Sequence, residues 1–155
     1  PSQEKQRFKI CRQVLHWLEI EHGITDWTAY PVWMWGYGEN PEDFIYGFPS
    51  LDATSVKMAS ESFLEVEHPE LVDREVSEEE QQVFWSDKVQ GKIKGLKNNF
   101  LKSTVCFYTV TEDAKFVIQP MNGNEDFLSV SACSGHGFKH SAALGEVLAH
   151  RILGA

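Results

Sequence analysis

The chain has 155 residues, 42% of them hydrophobic, and a formal net charge of −9; that length suffices for one domain with its own core. The negative charge argues against non-specific nucleic-acid binding and against anchoring to anionic lipid, and neither a membrane-length apolar run nor a signal peptide is visible. The three cysteines, Cys11, Cys106 and Cys133, are far apart and show no CxxC or Cys/His ligand spacing, so no metal site is expected and the reduced thiols of a cytoplasmic protein are the default reading.

Residues 10–21 alternate, with Val14, His16, Leu18 and Ile20 on one face, and predict a long strand. Residues 23–26 predict a turn, and the apolar, aromatic residues 30–35 a second strand with Pro31 near its start. After a Gly-, Asn- and Pro-rich turn, residues 44–48 and 56–63 predict two further strands. The short connections favour an antiparallel sheet. Residues 68–73 read as a polar loop. Ser77 before Glu78, Glu79 and Glu80 is an N-cap with acids in the first helical turn; Val83, Phe84 and Val89 are expected to form the buried stripe of a helix that ends by Gly91. Residues 92–102 are a basic stretch, read as a solvated loop or short helix. Strands follow at 101–110, 116–118 and 127–132. The last helix is expected over 138–153, with Leu144, Val147, Leu148 and Ile152 on one face. The pattern is α+β, a largely antiparallel sheet with covering helices, read as a single domain over residues 1–155.

The segment Ser134-Gly135-His136-Gly137-Phe138-Lys139 turns a strand into a helix through glycines. Glycines there permit positive φ and close backbone approach, and the first N–H groups of a helix lack partners within it. A Lys at a helix start is disfavoured by the dipole, so Lys139 suggests an anionic partner. Upstream lies Cys106-Phe107-Tyr108-Thr109. Further upstream are Tyr46-Gly47-Phe48-Pro49-Ser50, then Val56-Lys57-Met58-Ala59, and near the start Arg12-Gln13-Val14-Leu15-His16-Trp17. In order and spacing these segments resemble the sarcosine oxidase and N-methyltryptophan oxidase branch of the FAD-dependent glycine/D-amino-acid oxidase superfamily, over about residues 8–153.

The resemblance implies the substrate domain of that fold, ending in a strand, glycine turn and helix that normally complete the FAD domain. No GxGxxG fingerprint is present, so the chain is expected to be the C-terminal part of a longer oxidase and inactive alone. The implied cofactor is FAD, joined covalently through Cys106 as a thioether. Lys57 is implied to activate oxygen near the flavin, and Lys139 to bind the substrate carboxylate. Tyr46 and Tyr108 would line the substrate pocket, and Gly135, His136, Gly137 and Phe138 would approach the flavin. The implied partners are a small amine or N-methyl amino acid and molecular oxygen, with hydrogen peroxide as product. Glu61 stands where many relatives carry His; a carboxylate there would repel a substrate carboxylate or pair with a substrate amine. Thr111-Glu112-Asp113 and His140 also depart from the family pattern.

An Amadori-type fructosyl amine oxidase shares the glycine turn and is the alternative enzyme. A flavin-free interaction module, with Trp33, Trp35 and Trp85 as exposed contact points, is the alternative outside catalysis. His16, His22, His68 and His150 show no ligand spacing and read as ordinary core or surface residues. The oligomeric state is open.

Overall fold

The computed structural model describes residues 8–40, 42–61, 64–121 and 123–154. Its strands are β1 (Lys9–Ile20), β2 (Trp33–Gly36), β3 (Phe44–Gly47), β4 (Ser55–Ser60), β5 (Leu64–Val66), β6 (Leu96–Val110), β7 (Val117–Met121) and β8 (Asn124–Ser131), and its α-helices are α1 (Glu78–Phe84) and α2 (Ser141–Leu153). They fall into two compact units. A sheet unit comprises Arg12–Leu64 and Glu70–Phe107, and a hairpin–helix unit gathers the described residues of Pro1–Cys11, Glu65–Pro69 and Tyr108–Ala155.

In the sheet unit the strand order is β2-β3-β4-β1, and β6 also pairs β1. Pairing is antiparallel, with His16 opposite Met58, Leu18 opposite Val56, Ile45 opposite Ser60 and Trp33 opposite Gly47. Period-2 alternation sends these side chains to one face. There Leu18, Ile45, Val56, Met58, Phe84, Val89, Trp27 and Leu96 form the core. The Trp33 indole lies on Gly47, where a Cβ would stand 2.4 Å from the ring.

Helix α1 starts as the sequence predicts: Ser77 Oγ accepts the Glu80 N–H at 3.1 Å. It continues into one wider turn over Trp85–Val89, closed by the Gln90 N–H donating to the Trp85 carbonyl at 2.8 Å. That widening brings Val89, five residues after Phe84, onto the core.

In the hairpin–helix unit β7 and β8 form an antiparallel hairpin, with Val117 opposite Ser131 and a bulge at Pro120/Met121. Lys9 of β1 pairs with Glu65 of β5 at 3.0 Å. A tight 3₁₀ turn, Phe138–His140, precedes α2. No helix among the described residues is long and apolar enough to cross a membrane.

Several sequence expectations need correction. Strand β2 begins at Trp33, not at 30, because the chain ahead of it is a loop around Asp26, whose carboxylate accepts the Thr28 and Ala29 N–H groups. The strand predicted over 56–63 is β4 alone, ending at Ser60, with β5 a separate short strand; Phe63 lies outside the described residues. The basic stretch at 92–102 is mostly strand, since β6 starts at Leu96; Lys97 and Asn99 both bond Glu19 of β1, at 2.5 and 2.6 Å. Val83 is exposed, and Phe84 and Val89 supply the buried stripe. The apolar face expected of α2 is not buried: no residue of that helix is, and Val147 and Ile152 are both 62% exposed. Of the three tryptophans expected on the surface only Trp35 is exposed; Trp33 and Trp85 pack on the core.

Candidate functional site

The sheet has a second face. Alternation along β1 and β4, and along β3 into Phe48, sends Gln13 and Trp17, Tyr46 and Phe48, and Lys57 away from the core. Trp17 stands directly opposite Lys57, and Tyr46 opposite Ala59. The Lys57 Nζ lies 5.3 Å from the centre of the Trp17 ring and 5.0 Å from that of Phe48. On the other edge of β1, Lys102 of β6 holds its Nζ 4.7 Å from the Trp17 ring. A cleft of about 360 Å³ opens here, lined by Trp17, Phe48, Lys57, Leu51 and Asp52 among others. Asp52 shapes its rim: the Thr54 and Ser55 N–H groups donate to its carboxylate at 2.8 and 2.9 Å and hold its pKa well below the usual range.

Tyr46 is half-buried, and burial raises the pKa of its phenol. A hydrogen bond from Gln13 opposes that rise, while the charges of Glu61 and Cys106 add to it. Gln13 itself is buried and also donates to the Ser60 carbonyl. Glu61, just past the end of β4, and Cys106, on β6, therefore stand within electrostatic reach of Tyr46. Counting by twos from Lys102 puts Cys106 on the same face as Trp17. Its thiol is free and exposed, and the neighbouring Phe107 is covered by the Arg74 guanidinium at 5.3 Å. One sheet face thus carries an accessible thiol, an ammonium group and a phenol, with a carboxylate at its end. No cluster of three metal-ligating side chains occurs among the described residues.

The remaining predicted residues lie in the hairpin–helix unit. Ser134 (φ 62°) and Gly135 (φ 76°) make a left-handed pair. The Ser134 N–H donates to the Thr109 carbonyl at 2.7 Å, and the Thr111 N–H donates to Ser134 Oγ at 3.2 Å. This lays Gly135 on the Tyr108 ring, which a Cβ at that position would approach to 3.5 Å. At Gly137 a Cβ would fall 1.9 Å from the Ala132 carbonyl oxygen, so only glycine fits the turn as it stands. The His136 ring stacks on Phe116 at 4.7 Å, and its Nε2 lies 2.9 Å from the Ala114 carbonyl, which fixes Nε2 as the protonated nitrogen. His140 meets the edge of Phe116 at 5.7 Å. Phe138 is 96% exposed and Lys139 is exposed. The expectation that Lys139 opens the last helix is corrected: it sits in the 3₁₀ turn, where the His140 N–H donates to the Gly137 carbonyl, and α2 begins at Ser141.

Lys57, Tyr46, Glu61 and Cys106 are therefore brought together in one unit. Tyr108 and the glycine turn are brought together in the other. Sequence reading missed Gln13, Trp17 and Lys102 as neighbours of these groups. Trp17 lay in a segment singled out for its resemblance, but its place beside Lys57 depends on a strand pairing across 40 residues.

An antiparallel sheet with one face closed by a helix and the other set with polar and aromatic groups is an α+β arrangement. The structure superposes on NikD, an unusual amino acid oxidase essential for nikkomycin biosynthesis, with a TM-score of 0.66 over 94% of this chain and 39% of that one, at 14% sequence identity. In sequence the chain is 35% identical over 152 residues to a monomeric sarcosine oxidase of Streptomyces avermitilis, covering 94% of this chain and 38% of that protein. It is 31% identical over 120 residues to a monomeric sarcosine oxidase of Bacillus sp. strain B-0618, covering 74% and 30%. It is 28% identical over 152 residues to an N-methyl-L-tryptophan oxidase of Salmonella heidelberg, covering 92% and 38%. No protein-family model matches. Over most of its own length the chain is similar in sequence to monomeric sarcosine oxidases and N-methyl-L-tryptophan oxidases, and it spans well under half the length of these relatives.

Proposed function

We propose that this chain is the C-terminal, substrate-side portion of a cytoplasmic FAD-dependent oxidase that converts a secondary, N-methyl amino acid to an imine and reduces oxygen to hydrogen peroxide. The observation that carries the reading is the single sheet face that gathers Lys57, Tyr46 and Cys106, with Glu61 at its end. The donor set fits a flavin edge. Cys106 offers an exposed, unpaired thiol for a thioether, and Lys57 offers an ammonium on the same face. FAD, when bound, supplies the two-electron chemistry, taking a hydride equivalent from the amine C–H and passing electrons to oxygen.

In this reading the protein's own groups bind and orient. Lys57 presents positive charge where oxygen acquires electrons, a stabilisation that is preset and needs no rearrangement. Tyr46 walls the substrate side of the sheet face, and Tyr108 supports the glycine turn in the other unit. Lys139 pairs with the substrate carboxylate as a cation. Glu61 holds the substrate amine, which favours substrates with an extended or additional amino group over the smallest N-methyl amino acid. Gly135, His136, Gly137 and Phe138 bring backbone against the cofactor, with His136 braced on Phe116 and Ala114.

Intact mass and visible absorbance after incubation with FAD test the proposal. The expected result is one flavin per chain, yellow after acid precipitation and missing in Cys106→Ala. A colourless, unmodified protein overturns the covalent link. Peroxide release by the longer oxidase with a panel of N-methyl amino acids tests the reaction, and Lys57→Met in that protein is expected to lower it by on the order of 100-fold or more. An unchanged rate in that variant removes Lys57 from the mechanism.

A further inference from the structure

Among the described residues, the Lys57 ammonium makes no hydrogen bond and no ion pair; its partners are two aromatic rings. Trp17 faces it at 5.3 Å from directly across the β1–β4 pair, and Phe48 at 5.0 Å from the end of β3. Both distances lie within cation–π range. All three N–H donors of the ammonium therefore remain uncommitted, although the group is half-buried. A lysine that served only to guard a sheet edge would sit on an outer strand. Lys57 is on β4, between β3 and β1.

Trp17 has a second cation. Lys102 lies 4.7 Å from the same ring, and its ammonium likewise has no hydrogen bond or ion pair among the described residues. Strand β4 pairs residues 16–19 of β1, and β6 bonds the same stretch through the His16–Ser103 and Glu19–Lys97 contacts. The two lysines thus reach Trp17 from opposite edges of β1. The indole stands between two like charges and attracts both.

We infer that Trp17 is a positioning residue for Lys57: with Phe48 it clamps the ammonium by its π faces, leaves the N–H donors free for a ligand above the sheet, and holds Lys102 on its other side. This deepens the oxidase reading and rests on it for its catalytic meaning. The geometric part stands independently.

The test has two arms. In the first, the lysines of the protein are reductively ¹³C-dimethylated and the Lys57 resonance is assigned with Lys57→Arg. Ring currents are expected to move it away from the cluster of solvent-exposed lysines. It should return to that cluster in Trp17→Leu and keep most of its shift in Trp17→Phe. Phe48→Leu provides an independent partial loss, so the outcome does not hang on one variant's folding. An unshifted Lys57 resonance in the unsubstituted protein, or one indifferent to Trp17→Leu, overturns the clamp. In the second arm, the flavin-loaded protein is reduced anaerobically and mixed with oxygen. Reoxidation is expected to slow about tenfold in Trp17→Leu and to recover in Trp17→Phe, while reduction by amine stays within about twofold. A lost shift with unchanged reoxidation overturns the positioning role. Should the protein take up no flavin, flavin binding by this chain alone is overturned, and the resonance shift alone upholds or overturns the clamp.

Discussion

His16 shows how a polar side chain is tolerated in the core of the sheet unit. It is 2% exposed, its Nδ1 lies 2.9 Å from Ser103 Oγ, and Phe84 and Phe100 flank its ring at 4.3 and 5.1 Å. Burial lowers its pKa to about 4; Glu80 opposes that shift and Arg12 adds to it. The unfolded chain takes up a proton on His16 near pH 6.5, whereas the folded protein does so only near pH 4. Between those values the unfolded state binds more protons, so stability rises with pH. His16 alone is expected to remove about 2–3 kcal/mol of stability as pH falls from 6.5 to 4. Urea denaturation of the protein and of His16→Phe across that range checks this: the variant should lose that part of the slope and keep the part due to carboxylates. Gly47 makes a steric prediction at the same scale. Its missing Cβ is the space that the Trp33 indole fills, so Gly47→Ala should cost about 1–3 kcal/mol in chemical denaturation. Gly23→Ala, strained by its φ of 86° but with nothing within 4 Å, should cost less.

At the scale of elements, α1 is held at its start by groups of the sheet unit. Ser77 caps its start. Arg12 of β1 bonds Glu80 at 2.6 Å and also donates to the Asp73 and Glu75 carbonyls at 2.8 and 2.7 Å, tying the preceding loop to the sheet. Ser77→Ala should cost about 1 kcal/mol. Arg12→Met should cost more, about 2–3 kcal/mol, because it leaves two carbonyls and a carboxylate without their donor; calorimetric melting of the two variants ranks them. The cap was legible because its signal is local, four consecutive residues. Strands β1, β3 and β4 were legible because one face of each is buried and alternation shows it. Strand β6 was not. Lys97, Asn98 and Asn99 are poor strand formers, and they extend because Glu19, some 80 residues away, accepts from Lys97 and Asn99. The candidate site divides the same way. Lys57, Tyr46 and Cys106 were found through short motifs, whereas Trp17 and Lys102 acquire their place only from the register of β1 with β4 and β6, which no local pattern carries.

At the scale of the whole chain, apolar burial is uneven. Every residue of the hydrophobic core lies in the sheet unit. Among the described residues of the hairpin–helix unit only Cys11 and Thr111 are buried, while Phe127, Val147, Ile152 and Leu153 are more than 60% exposed. Local stability follows apolar contact and protection of backbone hydrogen bonds. A hairpin and a helix without a packed face should therefore open at a small fraction of the free energy needed to open the sheet. Hydrogen exchange read by mass spectrometry should show β7, β8 and α2 exchanging at least about tenfold faster than β1, β3 and β4, with urea unfolding in two steps and the hairpin–helix unit first. The tight Ser134–Gly135 turn, tied to Thr109 and Thr111, should be the slowest-exchanging part of that unit. Uniform protection across both units, lost in one transition, would contradict this division. It would mean that the exposed apolar residues of α2 find partners in solution, and a change of mass with concentration in analytical ultracentrifugation would then identify the partner as a second copy of the chain.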